Sequence, residues 1–141
     1  MNVIKEIREY IKSKAREING RIIENDQAHT PDTVGQFKFD QSYFVRFLSA
    51  PVTPGQSYHS YNFAVEIEIA AKAGANVLQS HDKIFCDAIA LSATLVDKQD
   101  YGDKFNRVEI TNLLPGPIEG NQRWTKVTIS ANFITFIKDG I

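Results

Sequence analysis

Residues 76–96, NVLQSHDKIFCDAIALSATLV, are the stretch that most constrains how this chain can fold. Their apolar members recur at spacings of three, four and seven, as along one face of an α-helix; they are Val77, Leu78, Ile84, Phe85, Ala88, Ile89, Leu95 and Val96. On both sides of this helix the sequence alternates between apolar and polar residues, which is the period of a half-buried strand. We therefore expect one helix to pack on a sheet whose strands come from both sides of it.

Four segments are predicted as strands. Residues 43–48 (YFVRFL) are rich in aromatic and branched side chains, which favours an inner strand. Residues 61–71 and 105–114 alternate, as does a last segment that begins near Trp124. The alternation of that last segment breaks at Ile134, and a bulge or burial on both faces would account for the change of phase.

A second helix is predicted at the start of the chain, because residues 2–18 carry one apolar stripe surrounded by charged side chains. Asn76 is a reasonable N-cap for the later helix. Polar or proline-containing segments at 24–41, 49–60 and 112–123 are predicted as loops, the first with a short strand at 37–39. The sequence thus predicts a single α+β domain over residues 1–141. Its sheet is mostly antiparallel or mixed, with about four or more strands, one long central helix packed on it and an amphipathic N-terminal helix.

Composition argues against several classes of protein. With 16 basic and 17 acidic residues, the chain lacks the basic excess expected of a nucleic-acid-binding protein. Its one cysteine, Cys86, cannot form an internal disulfide. A charged helix follows Met1, whereas a secretory signal would be apolar there. We therefore expect synthesis in a reducing cytosol. No run approaches the roughly 18 apolar residues that span a bilayer, so no membrane partner is expected.

Side chains with catalytic potential form no recognised arrangement. His81 stands beside Asp82, but adjacent helix positions point about 100° apart, so the carboxylate is poorly placed to orient the imidazole. The histidines follow no zinc-binding spacing, and the glycines form no phosphate-binding motif. Glu66 and Glu68 share one strand face about 7 Å apart, where two solvated acids are commoner than paired catalytic carboxylates. We expect no catalytic residue, no cofactor and no metal, and a protein that is not an enzyme.

The order and lengths of these elements resemble those of the tail-terminator or tail-completion proteins of long-tailed bacteriophages. An amphipathic opening helix precedes a meandering segment, two strands (43–48 and 61–71), a long helix (76–96) and two closing strands. A tryptophan leads into the last strand, in the segment 123–133, RWTKVTISANF. The likeness covers almost the whole chain, although the link formed by residues 19–41 is longer than these proteins often have.

The resemblance implies a structural virion protein. Such a protein forms a ring of its own copies, expected to be a hexamer, at the head-proximal end of the tail tube, where it ends tube polymerisation and joins tail to neck. Its implied partners are the tail tube protein, a head-completion or neck protein, and DNA that passes through the lumen without specific binding. Its implied location is the tail or neck of the virion, after synthesis in the cytoplasm of the bacterial host.

A ring subunit needs two unlike, complementary side faces and loops that reach its neighbours. The three predicted loops are therefore candidate contact segments, and polar sheet positions such as Glu66, Lys126 and Asn132 are candidates for lining a lumen. The candidate assembly-contact or lumen residues are Arg46, Tyr58, Glu66, Glu68, Asp100, Arg107, Arg123, Trp124 and Lys126.

Two other classes of function stay open. The first is a small ligand-binding domain or enzyme with a pocket between the central helix and the sheet, lined by Tyr43, Tyr61, Phe63 and His81. The second is a nucleic-acid-binding module that would use an exposed sheet with stacking aromatic rings and the basic residues Arg46, Arg107, Arg123 and Lys126. A buried pocket with a titrating histidine would favour the first class, and steeply salt-dependent binding of single strands would favour the second.

Overall fold

The computed structural model describes residues 2–19, 22–25, 28, 41–72, 77–118 and 121–138. Within them the chain has an α+β fold, with three helices and one mixed sheet of six strands. The elements in chain order are α1 (Val3–Ile18), β1 (Ile23–Glu24), β2 (Gln41–Ser49), β3 (Val52–Thr53), β4 (Tyr58–Lys72), α2 (Val77–Leu95), α3 (Lys98–Tyr101), β5 (Arg107–Ile118) and β6 (Asn121–Lys138).

The sheet is built around β4 and β6. Its strand order is β1-β2-β4-β6-β5, with β3 paired to the start of β4. Only the short β1 runs parallel to its neighbour, and all the other pairs are antiparallel. The β4–β6 ladder keeps one register from the Tyr58–Lys138 pair to the Lys72–Trp124 pair. The four predicted strands are thus present, and each is longer than predicted.

Both long helices contribute to the core on one face of the sheet. Ile7 and Ile11 of α1 and Ile84 of α2 are buried in the same cluster as Ile67 and Ile129, which come from the two central strands. α2 packs on β4, β5 and β6 and lies beside α1. Since two helices of similar length share this face, a single long central helix is not clearly shown.

The buried side of α2 agrees only in part with the predicted apolar arc. Its buried stripe consists of Ile84, Ala88, Leu91, Ser92 and Leu95, with the helical spacings of four, three, one and three. Three members of the predicted apolar arc are instead exposed: Leu78 at 70%, Ile89 at 48% and Val96 at 38%. The sequence spacing identified the helix correctly and included Ile84, Ala88 and Leu95 of its buried stripe, but it drew the apolar arc too wide and missed Leu91.

The predicted loop at 112–123 is a strand hairpin. β5 continues through Leu-Pro-Gly-Pro to Ile118, and β6 begins at Asn121. Proline lacks the N–H that a ladder needs, but β5 is an edge strand, where the missing donor can point away from the sheet. The predicted loop at 49–60 contains the short strand β3 and the start of β4. The strand predicted at 37–39 and the N-cap predicted at Asn76 lie outside the described residues.

One short element was not predicted, and one local prediction needs correction. The charged segment after α2 contains a four-residue helix, α3, and the side chain of its last residue, Tyr101, is buried. The change of phase at Ile134 comes neither from a bulge in the β4–β6 pair nor from burial on both faces. Alternation simply continues, because Thr135 is buried on the core side while Phe136 is 53% exposed on the other. The outward side chains of this end of β6 are apolar, which disguises the period.

Candidate interaction surface on the sheet

The face of the sheet opposite α1 and α2 carries most of the candidate residues. No helix in the described part of the chain covers it, and we refer to it as the helix-free face. Strand alternation turns Val45, Ile67 and Ile129 toward the helices, so the intervening positions point to the helix-free face. The register then sets Arg46 opposite Glu66 and places Glu68 two residues further along β4.

Arg46, Glu66 and Glu68 form an ion-pair cluster on this face. The Nη1 atom of Arg46 lies 3.2 Å from Oε1 of Glu66 and 3.2 Å from Oε2 of Glu68. The guanidinium carbon also lies 5.5 Å from the ring centroid of Phe44, a residue that sequence reasoning did not single out. The side chain of Glu68 is only 5% exposed, against 27% for Glu66. Both carboxylates therefore contact the same guanidinium.

Other candidates lie along the same face without joining the cluster. Lys126 is half-buried and pairs with Ala70 in the register. Trp124 is 7% exposed and lies opposite Lys72 in the register. It is buried but does not belong to the main core cluster under the helices. Strand alternation places it on the helix-free face. Tyr58, at the far end of β4, is 52% exposed.

Arg107 extends this surface to the edge strand. Its Nε atom lies 2.6 Å from Oε1 of Glu109, two residues along β5, and its side chain is 68% exposed. The neighbouring outward residues of β6, Ile134 and Phe136, add apolar area that was missed. Continuing the alternation beyond Phe133 would have found them. The backbone of Arg123 belongs to β6, but its side chain lies outside the described residues.

Asp100 stands apart from the other candidates, on the helical side of the molecule. Its Oδ1 atom accepts a hydrogen bond of 3.0 Å from Nζ of Lys14, which also bonds Glu17 at 3.3 Å. Burial by itself lowers the pKa of Lys14, but its hydrogen bonds to Asp100 and Glu17 outweigh burial and raise that pKa above its ordinary value. In the folded chain, Asp100 thus joins α1 to α3.

The four residues of the alternative pocket occupy different surroundings. Nδ1 of His81 lies 2.8 Å from Oγ1 of Thr125, and the rings of Tyr61 and Phe63 stack with centroids 6.1 Å apart. Tyr43 borders a cleft of about 540 Å³ that Lys12, Arg16, Ile22, Ile23, Glu24 and Asn25 also line. Phe63 borders another hollow, beside Asn2, Val3, Ile4 and Ile137. Tyr43 and Phe63 therefore face separate hollows.

Outside the cluster of Arg46, Glu66 and Glu68, the charged and apolar side chains on this surface are spread along the strands. Among the described residues, no group of three or more His, Cys, Asp or Glu side chains is placed to hold a metal ion. In the same part of the chain, no helix has the length and apolar character needed to cross a lipid bilayer. The arrangement is suited to contact over an area, through ion pairs and apolar side chains.

No family model matches the sequence, and no curated protein is significantly similar to it.

Proposed function

We propose that this chain is a structural virion protein, a ring-forming tail-terminator or tail-completion subunit of a long-tailed bacteriophage. In this proposal about six copies close a ring on the head-proximal end of the tail tube, stop its growth and join it to the neck. The tail tube protein and a head-completion or neck protein are its partners, and α2 is the long central helix of each subunit. The observation that carries the proposal is the helix-free face, an extended charged and apolar surface on one side of the sheet.

Exposed apolar side chains on this face support a role in assembly. Phe136 is 53% exposed and Tyr58 is 52% exposed, near one end of the β4–β6 ladder. Large apolar side chains left in water beside one another are typical of surfaces that contact another protein. The two edges of the sheet also differ, since the short β1 forms one edge and the proline-containing β5 forms the other. A closed ring of identical subunits requires unlike, complementary side faces of this kind.

The charge of the helix-free face is compatible with DNA passing through a lumen. Arg46 already pairs with Glu66 and Glu68, so its guanidinium is engaged within the subunit. Tight DNA binding needs several cations free to neutralise phosphates. A lumen lined by this cluster would present Arg46 already paired and would let DNA slide without holding it.

The first experiment measures the mass of the purified chain by light scattering, alone and mixed with polymerising tail tube protein, with negative-stain images of any large species. Once tube protein is present, we expect rings of about six copies with a central hole, and tubes that stop growing once capped. A chain that stays monomeric in both conditions and leaves tube length unchanged would contradict the proposal.

A charge reversal tests the lumen. In the assembled ring, Glu66→Lys should create DNA retention at low salt that the unchanged ring lacks, because it removes one of the two carboxylates paired with Arg46 and adds a cation on the same face. The matched control is Glu9→Lys on α1, whose side chain is 64% exposed. Equal DNA retention by the two variants would place Glu66 outside the lumen.

A further inference from the structure

The outer edge of β5 is open to another strand. β5 ends the strand order and pairs only with β6 among the described strands. Edge strands with free N–H and C=O groups can pair with another chain unless prolines, bulges or charges prevent it. In β5 the two prolines, Pro115 and Pro117, and the register shift after Ile110 disturb the C-terminal part. Residues 106–110 are therefore the stretch that can accept a partner strand.

An apolar margin lies beside this edge. On the helix side of β5, Ile110 and Leu113 are only partly buried against the core, as is Phe85 of α2. Ile89, one turn along α2 from Phe85, is 48% exposed. α1 covers the other flank of α2, where Tyr10 donates a hydrogen bond of 2.8 Å to the carbonyl oxygen of Leu95. The flank turned away from α1 is left without a helix beside it in the described part of the chain.

The charges on β5 identify the partner as a second copy of this chain. Arg107 and Glu109 stand on either side of Val108 on one face of the strand, 2.6 Å apart at their charged ends. When two such strands pair antiparallel about Val108, Arg107 of each copy falls opposite Glu109 of the other. Opposite charges across a strand pair stabilise it, and like charges destabilise it. The sequence of this edge is thus complementary to itself in one register.

We propose that the free chain forms a two-fold dimer in which residues 106–110, at the start of β5, pair antiparallel with the same residues of a second copy, centred on Val108. The pairing would join the two sheets and bring both exposed α2 flanks to the same side of the joined sheet. It goes beyond the ring proposed above, because a two-fold contact uses the same surface on both copies whereas a ring uses two different ones. The dimer would exist whether or not the chain caps a tail tube.

Charge exchange tests the register. Light scattering and sedimentation from about 1 to 300 µM, the range suited to a small interface, should show a species of twice 15.9 kDa. Arg107→Glu and Glu109→Arg should each weaken dimerisation by about tenfold or more, since either one sets two pairs of like charges opposite each other. The double exchange, Arg107→Glu with Glu109→Arg, should restore the dissociation constant to within about threefold of the original.

A matched pair of isoleucines tests the apolar margin. Ile89→Ser on α2 should weaken the dimer, whereas Ile4→Ser on α1 should leave it unchanged, although the two side chains are similarly exposed at 48% and 46%. Hydrogen exchange adds a backbone measure, because amides in residues 106–110 should become more protected as concentration rises. Thermal melts of each variant monitor folding separately from association.

Three results would overturn the proposal. A monomer over the whole concentration range would show that the edge stays unpaired. A larger or dimeric species unaffected by the two single charge changes would place the contact on another surface. Failure of the double exchange to restore an association that both single changes had weakened would exclude the antiparallel register about Val108.

Discussion

Burial distinguishes the two carboxylates that share Arg46. The side chain of Glu66 is 27% exposed and keeps much of its contact with water, whereas that of Glu68 is 5% exposed. A carboxylate that has lost its water depends on hydrogen bonds and nearby cations to remain charged at low cost. Arg46 therefore matters more to Glu68 than to Glu66, although the two distances are equal.

Replacing Arg46 with methionine tests this dependence. We expect Arg46→Met to lower the free energy of unfolding by about 1–3 kcal/mol, less than for a fully buried pair because the arginine itself is partly hydrated. Arg46 is 40% exposed in the cluster. The control is Arg107→Met in dilute solution, where the pair with Glu109 is largely solvated and the loss should stay below about 1 kcal/mol. Urea denaturation measures both, and equal losses would show that burial of Glu68 has no influence.

At the scale of elements, the sequence predicted strands better than it predicted which side of a helix is buried. Strand alternation leaves two choices of face, and the long strands β4 and β6 follow it from end to end in one register. A helix can pack in many orientations, and α2 has apolar residues around most of its surface. Their spacing alone therefore did not determine which side of α2 is buried. α1 decided it by covering one flank of α2, a contact between residues about 85 positions apart in the chain.

Two leucines of α2 measure its orientation directly. Leu91→Ala should lower the free energy of unfolding by about 2–5 kcal/mol, because it removes buried methyl groups and leaves a cavity. Leu78→Ala should change it by less than about 0.5 kcal/mol, since an exposed side chain loses little packing. Leu91 is 2% exposed and Leu78 is 70% exposed. Similar losses in urea denaturation of the two variants would contradict the packing of α2 described above.

The candidate surface was predictable in part, for physical reasons that differ between residues. Period-two alternation placed Glu66 and Glu68 on one face, and the structure has them there. Their shared partner, Arg46, required the pairing register of β2 with β4, which no local pattern fixes. The first part of β5 was predicted as a strand, whereas prolines at Leu-Pro-Gly-Pro predicted a loop for the rest, although an edge strand accommodates them. Edge position depends on the order of strands in the whole sheet.

In the whole molecule, buried hydroxyl and ammonium groups tie separate parts of the fold together. Tyr10 of α1 donates to the C-terminal carbonyl of α2 at Leu95, and Lys14 of the same helix pairs with Asp100 of α3. On the far side of the core, Tyr43 of β2 donates to Glu24 of β1 at 3.5 Å. All three contacts require the donor to keep its proton. The free energy of unfolding should therefore fall as the pH rises into the alkaline range.

Burial, followed by the nearby charges of Asp100 and Asp97, raises the pKa of Tyr10 above its ordinary value, and burial together with Glu24 does the same for Tyr43. Above about pH 10 the unfolded chain releases protons that the folded chain still holds, so the free energy of unfolding falls as pH rises. The two tyrosines together should give a slope of up to about 2.7 kcal/mol per pH unit. Lys14, whose pKa is also raised, steepens the fall above the ordinary lysine range.

Tyr10→Phe should halve the tyrosine part of this slope, because only one of the two phenol protons remains to be released. At pH 7 it should also lower the free energy of unfolding by about 1 kcal/mol, because the hydrogen bond to Leu95 is lost. The control is Tyr58→Phe, which removes the hydroxyl from a ring that is 52% exposed in the folded chain. Urea denaturation from neutral pH to about pH 11.5, above the ordinary tyrosine range, measures the slopes, and tyrosinate absorbance of the folded chain follows ionisation directly. If the original chain and Tyr10→Phe lose stability equally over this interval, the proton of Tyr10 does not link folding to pH.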